Sequence, residues 1–360
     1  MSANETGTTP IIVAKRRKIF THFIGVDVSK DKLDYAVLNQ EKLLFHEVRP
    51  NTKEDIGLFL ARLKKIPGFT LPKALFCMEA SGIYGNHLIE AVRKSKAAMV
   101  VDNPVHIKRS MGLVRGKEDK VDAIRIARYC RSHKDEVRLW TARRAEVTRL
   151  TALFALRNRL LSLSIAISNP LMEEQRFVKK NYHDRNKELC SSTIGALKND
   201  LKKVEKAIDA LITGDLVLSR LRAILLSVPG IGRITMIQIL ISTNEFKSIT
   251  CPKKLACYAG VAPFKNESGT FAGRARISRF ANRRLKSLLH ICAMNARKAE
   301  PELKVYFERK TAAEGKPKLA VINAIRAKLI QRVYACVRQN RFYEKRHIEN
   351  NKQQPDQYTT

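Results

Sequence analysis

Residues 22–50 read HFIGVDVSKDKLDYAVLNQEKLLFHEVRP, and this stretch decides the fold of the N-terminal part of the chain. Three runs rich in β-branched and aromatic residues are separated by short polar turns, which predicts three strands joined as antiparallel hairpins. In the first strand Ile24 and Val26 alternate with Gly25 and Asp27, so the glycine and the acid share one face. Because aspartate is depleted in strands, Asp27 is a candidate functional residue.

The chain continues with a helix over 51–66, a strand over 73–81, a helix near 84–96 and a strand over 97–104. Glu79 lies near the end of the second of these strands, so a second acid ends a strand. A glycine-containing basic loop then leads into a further helix. The order β-β-β-α-β-α-β-α is the layout of the RNase H/RuvC-like (Holliday-junction-resolvase) fold, so we predict an α/β domain of that class.

The further helix opens with residues 117–130, KEDKVDAIRIARYC. At 100° per residue, Asp119 and Asp122 share a stripe with small and apolar side chains, the kind of face that a helix buries. A carboxylate on a buried face is costly unless it is paired or bound to a cation. Taken alone, two acids bridged to arginines and two acids that bind a metal ion are equally good interpretations.

Four carboxylates from strands and a helix would repel one another strongly in a cleft of low dielectric constant. Mg²⁺ removes that penalty, prefers oxygen ligands, and in pairs supports phosphoryl transfer. We therefore predict a magnesium site and catalytic centre at Asp27, Glu79, Asp119 and Asp122. Sugar kinases and actin-like ATPases open with a similar IGxD hairpin, but the chain lacks their second phosphate hairpin and their glycine-rich adenosine motif.

The charge of the chain points to a polyanionic partner. Its 360 residues include 68 Lys and Arg against 34 Asp and Glu, a formal net charge of +34 spread along the whole chain. This distribution favours nucleic acid over a membrane, since we find no 18-residue apolar run. The seven cysteines show neither zinc spacing nor a CxxC pair, and the N-terminus lacks the order of a signal peptide, so we expect a cytoplasmic, nucleoid-associated protein.

The middle of the chain is helical. Residues 145–169 are long and apolar, and residues 192–213 carry a heptad-like seam, with a polar connector over 179–190 between them. The seam residues are Leu197, Leu201, Val204, Ile208 and Leu211. Both a dimerising coiled coil and an intramolecular antiparallel pair fit this pattern.

Pro229-Gly230-Ile231-Gly232 separates two apolar helical segments within 225–242. The pattern indicates a helix-hairpin-helix, in which Gly230 and Gly232 would let the backbone approach a nucleic-acid phosphate. A plain corner between two helices remains the alternative.

A glycine-flanked basic loop follows, and we expect it to hold Ser268. An ordinary loop serine is the alternative to a functional one. The basic residues that we expect to contact nucleic acid are Arg274, Arg276, Arg279, Arg283 and Arg284. A last amphipathic helix over 315–344 should close the C-terminal part through an inward stripe that begins at Leu319.

Five segments together resemble the DEDD-type insertion-sequence transposases, a family that includes pilin-gene invertases and bridge-RNA-guided recombinases. They read GVDVSKDKLDYAVL, CMEASGIYGNHLIEAV, KEDKVDAIRIARYC, LLSVPGIGRITMIQIL and LACYAGVAPFKNESGTFAGRARISRFANRRLKSLL, in the family's order over about residues 22–340. The family's acids fall on Asp27, Glu79, Asp119 and Asp122, and its nucleophilic serine falls on Ser268.

The resemblance implies a RuvC-like DEDD domain (21–140), a coiled-coil insert (141–215) and a mainly helical C-terminal transposase domain (216–345). The polar composition of the two ends predicts a disordered basic leader (1–20) and a disordered tail (346–360). The resemblance also implies a bacterial or archaeal transposase that cuts and exchanges strands of donor and target DNA through a phosphoserine–DNA intermediate. It further implies a non-coding guide RNA and a homo-oligomer, a dimer or tetramer. The alternative is a metal-dependent, structure-specific nuclease in which Ser268 is incidental.

Overall fold

The computed structural model describes residues 19–80, 82–110, 119–268, 271–278 and 280–345, with the backbone alone for 265–268, 271–272 and 274–275. The expected tail over 346–360 and nearly all of the expected leader over 1–20 lie outside the described residues. Phe20, which we assigned to the leader, is buried against the first unit. The chain divides into two compact units, residues 1–142 and 143–360.

The first unit is built on a mixed five-stranded sheet. Its strands are β1 (His22–Val28), β2 (Lys32–Asn39), β3 (Lys42–Pro50), β4 (Ala74–Glu79) and β5 (Ala98–Asp102). The strand order is β3-β2-β1-β4-β5, with β1–β3 antiparallel and β4 and β5 parallel to β1. The mixed sheet that the sequence predicted is therefore confirmed.

Helices cover both faces of this sheet. They are α1 (Lys53–Lys64), α2 (Asn86–Lys94), α3 (Pro104–Arg109) and α4 (Asp119–Ser132). Helices α1 and α2 pack on the face that carries Ile24 and Val26, and helices α3 and α4 pack on the face that carries Phe23 and Cys77. Because side chains alternate along a strand, one strand serves both cores.

The second unit begins with two long antiparallel helices, α5 (Ala145–Phe177) and α6 (Lys180–Thr213). Arg157 donates to Glu205 at 2.7 Å and Asn186 donates to Glu174 at 3.1 Å, which fixes the antiparallel pairing. The connector expected over 179–190 is wrong, because α6 already begins at Lys180. Its lysines, arginine and glutamate have good helix propensity although they form no apolar stripe.

Helix α5 also corrects the expectation that the chain has no long apolar run. Among the described residues, this one helix is long and apolar enough to cross a membrane by length and composition. That is weak evidence, since the core helix of a soluble protein passes the same test. Val147, Leu150 and Phe154 are buried in the core of the second unit, but only 11% of the apolar window of this helix is buried.

The remaining helices pack around a single large core. They are α7 (Leu216–Ser227), α8 (Arg233–Thr243), α9 (Pro252–Tyr258), α10 (Arg283–Ala299), α11 (Pro301–Glu308) and α12 (Lys318–Arg338), with a π-helical segment at Arg309–Ala313. Helix α12 buries Ile322, Ile325, Leu329 and Val333 as expected. Leu319, one residue into the helix, is 72% exposed, so the inward stripe starts one turn later than predicted.

A two-stranded antiparallel sheet, β6 (Pro263–Ser268) and β7 (Phe271–Ile277), projects between α9 and α10 in the chain. Ser268 pairs with Phe271, so two residues separate the strands. The loop expected here is therefore wrong over most of its length. The dipeptide Gly269-Thr270 is a sequence signal for a two-residue hairpin connection, and we did not use it.

Candidate active site

Two of the candidate acids end neighbouring parallel strands. Val26 lies beside Met78 in the β1–β4 register, so Asp27 and Glu79 directly follow paired residues at the same edge of the sheet. Both side chains share the face of Phe23 and Cys77, and both are half-buried. The topology therefore brings two acids together that lie about fifty residues apart in the sequence.

Helix α4 delivers the other two acids to the same edge. It buries Ala123, Ile126, Ala127 and Cys130 as predicted, whereas the side chains of Asp119 and Asp122 on the same stripe are 45% and 33% exposed. A Cβ added at Gly25 would lie only 2.2 Å from the carbonyl oxygen of Ala123, so the helix backbone rests directly on β1. Asp119 and Asp122 form the first turn of this helix, at its active-site end.

The electrostatics indicate that Asp27 lies within Coulombic reach of the other three carboxylates, and Glu79 within reach of Asp27 and Asp122. Burial first, and then the charges of Asp119, Asp122 and Asp34, raise the pKa of Asp27. Burial, Asp27 and Asp122 likewise raise the pKa of Glu79, against the opposing charge of Lys108. Like charges this close favour the protonated form, and a bound cation would relieve the repulsion.

Protein cations partly neutralise the cluster. The Lys32 ammonium donates to Asp119 at 2.7 Å and lies 3.3 Å from Asp34. Arg125 donates to Asp122 at 2.9 Å. Lys32 follows β1 in the first hairpin, so the hairpin that carries Asp27 also brings a counter-charge to the helix acids.

The chemistry of the four carboxylates suits a hard divalent cation, but their arrangement in this structure does not form a metal site. Carboxylate oxygens are the ligands that such cations prefer. Among the residues described, however, no three acidic, histidine or cysteine side chains converge closely enough to hold a metal ion. Asp119 and Asp122 instead point to Lys32 and Arg125, and a bound ion would have to replace those contacts.

Sequence reasoning missed Asp102, a third acid carried by a strand at this edge, which ends β5 beside Glu79. Its Oδ2 accepts from the Tyr129 hydroxyl at 2.5 Å, and its Oδ1 contacts the backbone N–H of Asn103 at 2.6 Å and His106 at 2.9 Å. Because both oxygens are occupied and Tyr129 belongs to α4, Asp102 joins β5 to the helix that carries Asp119 and Asp122. An acid at the end of a third parallel strand was the available signal.

Asp34 was also missed. It lies directly across from Asp27 in the β1–β2 register and is buried. His46 contacts its Oδ1 at 3.2 Å and Lys32 its Oδ2 at 3.3 Å. These two contacts compensate a buried charge next to the candidate site.

The candidate nucleophile belongs to the second unit. Ser268 is the last residue of β6, and the backbone alone is described there. Of the expected phosphate contacts, Arg276 and Arg283 are exposed. The Arg274 side chain is not described, and Arg279 lies outside the described residues.

Two predicted nucleic-acid contacts, Arg284 and Gly230, have packing partners within the second unit, and Arg284 is also exposed. Arg284 donates to Asn158 and lies over the Phe154 ring at 5.3 Å, so it packs α10 against α5. Gly230 has a φ of +88°, and a Cβ there would lie 2.6 Å from Ala296 Cβ. Its packing favours the plain helix corner that we left open.

Gly232 is different, because a Cβ there would meet nothing within 4 Å. It is the N-cap residue of α8, which begins at Arg233. Its surroundings therefore leave room for an approaching backbone or phosphate.

Comparisons with known proteins agree with this layout. A family model described as "Transposase IS116/IS110/IS902 family" matches residues 222–308. A second model, for IS110-type DEDD transposases and described as "Transposase", matches residues 24–173. The two matches fall on the candidate acids and on the hairpin that contains Ser268.

Similar curated proteins include a pilin gene-inverting protein of Moraxella bovis, 29% identical over 90% of this chain and 98% of the relative. A pilin gene-inverting protein of Moraxella lacunata is 27% identical with the same coverage. An IS110 insertion-element protein of Streptomyces coelicolor is 30% identical over 43% of this chain and 37% of its own length.

Among solved structures, RuvC of T. thermophilus in complex with a Holliday junction substrate aligns with 33% of this chain and 99% of its own, at 14% identity and a TM-score of 0.26. That score is too low to support the fold, which rests on the strand order and helix faces described above. The two family matches and the near full-length relatives together show that this chain belongs to the IS110-type family of DEDD transposases and is a DNA transposase or recombinase.

Proposed function

We propose that this enzyme cuts and exchanges strands of donor and target DNA with the four carboxylates Asp27, Glu79, Asp119 and Asp122 and the nucleophile Ser268. The observation that supports the proposal is that Asp27 and Glu79 lie on adjacent parallel strands, with Asp119 and Asp122 in the first turn of the helix that packs on β1. Asp119 and Asp122 are paired with Lys32 and Arg125, whereas no described cation forms a salt bridge with Asp27 or Glu79. A fold that needed these two strand acids only for stability would pair each with a cation.

In the proposed reaction, Asp27, Glu79, Asp119 and Asp122 would hold Mg²⁺. When bound, these ions neutralise the acids and polarise a DNA phosphate. Ser268 Oγ attacks phosphorus and loses its proton, an Oγ–P bond forms, one P–O bond of the DNA breaks, and the leaving strand oxygen takes up a proton. A strand hydroxyl then attacks the phosphoserine, forms a new P–O bond and regenerates serine. The bond energy is conserved, so no external energy source is needed.

Further parts of the proposal concern partners. We propose that Arg276, Arg283 and Gly232 contact DNA phosphates, and that a non-coding guide RNA supplies sequence choice by base pairing, with part of the +34 charge binding that RNA. We also propose a dimer or tetramer, with α5 and α6 as a coiled-coil contact, and nucleoid association in a bacterial or archaeal cytoplasm. Sequencing RNA that co-purifies with the protein tests the guide directly.

The Ser268→Ala variant tests the nucleophile. We expect it to lose covalent protein–DNA adducts, seen as shifted bands on denaturing gels, and all strand exchange, because alanine has no oxygen to attack phosphorus. Ser287→Ala, an exposed serine on α10, is the matched control and should keep both activities.

The alternative is a metal-dependent, structure-specific nuclease. It predicts that Ser268→Ala still cuts branched DNA to free ends and that no adduct ever forms. If adducts and strand exchange survive in Ser268→Ala, the proposed recombinase reaction is wrong.

A further inference from the structure

Arg326 on α12 is a buried guanidinium without a carboxylate partner. The residue is 8% exposed. One terminal nitrogen lies 3.5 Å from Asn323 Oδ1, the other donates to His290 Nδ1, and Nε has no partner. Among the side chains that the structure describes, none of the carboxylates forms an ion pair with it.

Other partly buried arginines of the same unit form ion pairs with carboxylates. Arg144 donates to Asp215 at 2.7 Å and to Glu245 at 3.0 Å. Arg332 is paired with two glutamates, and Arg157 with one. A buried charge is costly unless an opposite charge and hydrogen bonds compensate it. Arg326 therefore lacks the anion that comparable arginines of this unit have.

The surroundings of Arg326 are basic and lie where the Ser268 hairpin begins. Asn323 donates to the backbone carbonyl of Val261 at 2.7 Å, two residues before β6. Lys286, one turn before His290 on α10, is half-buried, and its Cδ lies 3.7 Å from where a Cβ on Gly260 would be. Residues four apart on a helix share a face, so Lys286 and His290 both face this region.

His290 can add a neutral hydrogen-bond donor to this group of side chains. Burial and the charge of Arg326 lower its pKa. Its Nδ1 accepts from Arg326, which can only donate, so the ring proton resides on Nε2. Nε2 can then donate to an anion.

We propose that Arg326, Lys286 and His290 bind a phosphodiester group of DNA at the start of the Ser268 hairpin. A guanidinium with unused N–H groups is the side chain best suited to phosphate oxygens, and Lys286 and His290 on α10 are only partly buried. The assignment to DNA rests on the proposed function of Ser268. Pro263 and Ser268 are five strand residues apart, about 17 Å, so the bound phosphate flanks the reacting one, and Arg326 is a positioning residue.

The Arg326→Met variant separates this site from a structural arginine. Methionine fills a similar volume without charge, so we expect an unchanged or higher Tm in the absence of DNA. Affinity for duplex DNA should fall roughly ten-fold, the value of a lost charged hydrogen bond. Inorganic phosphate should raise the Tm of the wild-type protein and not that of the variant, since a ligand stabilises the state that binds it.

The control is Arg144→Met, which leaves Asp215 and Glu245 without their partner and should lower Tm. If Arg326→Met lowers Tm as Arg144→Met does and leaves DNA affinity unchanged, Arg326 is structural and the proposal is wrong.

A second pair of variants does not depend on a buried position. Lys286→Met should weaken duplex binding clearly more than Lys298→Met, which removes the same charge from an exposed position on the same helix. Equal losses would contradict the site. A loss confined to single-stranded RNA would contradict the assignment to DNA. Because binding and Tm are read without strand exchange, these results stay independent of Ser268 chemistry.

Discussion

At the residue scale, Asp27 is an acid at a half-buried strand position, where aspartate is uncommon. An acid in a buried strand lowers both strand propensity and stability. Its raised pKa means that the folded protein binds a proton more readily than the unfolded chain does. Stability therefore falls as pH rises from the ordinary aspartate pKa through the folded-state pKa, and above that it stays lower.

Asp27→Asn should consequently melt at the same temperature as the wild-type protein at neutral pH, or at a higher one. DNA strand cleavage should fall by about two orders of magnitude or more, which is the typical effect of removing one electrostatic catalytic group. The Tm difference should shrink in acid, where the wild-type carboxyl is protonated. Thermal melts at several pH values and a cleavage assay measure both. A large Tm loss with cleavage intact would contradict a catalytic role.

Asp215→Asn is the control, because its expected change in Tm at neutral pH has the opposite sign. Its hydrogen bond with Arg144 lowers the pKa of Asp215 to about 2. The stabilisation from that shift is present above the ordinary aspartate pKa and is lost as pH falls through the folded value. The asparagine variant should therefore melt lower than the wild-type protein at neutral pH.

Tyr129→Phe tests whether Asp102 braces α4 against the sheet. The change removes a hydroxyl donor to a carboxylate, and we expect a loss of about 1.5–3 kcal/mol in the free energy of unfolding, measured by urea titration. Tyr35→Phe is the matched control, because the Tyr35 hydroxyl is buried without a hydrogen-bond partner in the described structure. It should be neutral or stabilising, and equal losses in the two variants would contradict the brace.

At the element scale, the contact between α4 and β1 sets the active-site geometry. Gly25 permits it, because a Cβ there would lie 2.2 Å from Ala123 O and 2.3 Å from Ala127 N. These atoms belong to helix backbone and cannot move aside cheaply. The spacing between Asp27 on the strand and Asp122 on the helix therefore depends on one missing side chain.

Gly25→Ala should displace α4, lower the free energy of unfolding by about 1–3 kcal/mol and reduce DNA cleavage further than the stability loss alone explains. Urea titration and a cleavage assay below the unfolding transition measure the two effects. Gly57→Ala, at an exposed position of α1 with nothing within 4 Å, is the control and should stabilise by about 0.5–1 kcal/mol. Full cleavage activity in Gly25→Ala would show that α4 tolerates a shift.

At the scale of the whole molecule, we expect the net charge of +34 to dominate binding to nucleic acid. Most of this charge lies in residues 143–360. Binding that neutralises six to ten phosphates should lose about 10³–10⁵-fold in affinity between 50 and 200 mM salt. Fluorescence anisotropy with a labelled duplex across that range measures the slope, and an affinity insensitive to salt would contradict electrostatic binding.

The sequence alone predicted the order of the five strands and of α1, α2 and α4 in the first unit, together with the buried apolar face of α4, but it did not predict the short helix α3. These features follow from local periodicity, since strand and helix patterns bury one face each. It also determined the family, because the short motifs occur in order along the chain. The sequence-based prediction was wrong at the α5–α6 connection, where polar residues with high helix propensity extend the helix. It was also wrong at Ser268, where a loop was expected and a hairpin is found.

Only the tertiary structure decided which charges lie together. The structure joins Asp102 to Tyr129, puts Asp34 beside Asp27 and buries Arg326 Nε without a described hydrogen-bond partner. The spacing of residues along the chain does not predict these arrangements. The same holds for the packing contacts of Gly230 with Ala296 and of Arg284 with Phe154. Burial turns an ordinary charged residue into a costly one, and burial depends on how the sheet and the helices pack together.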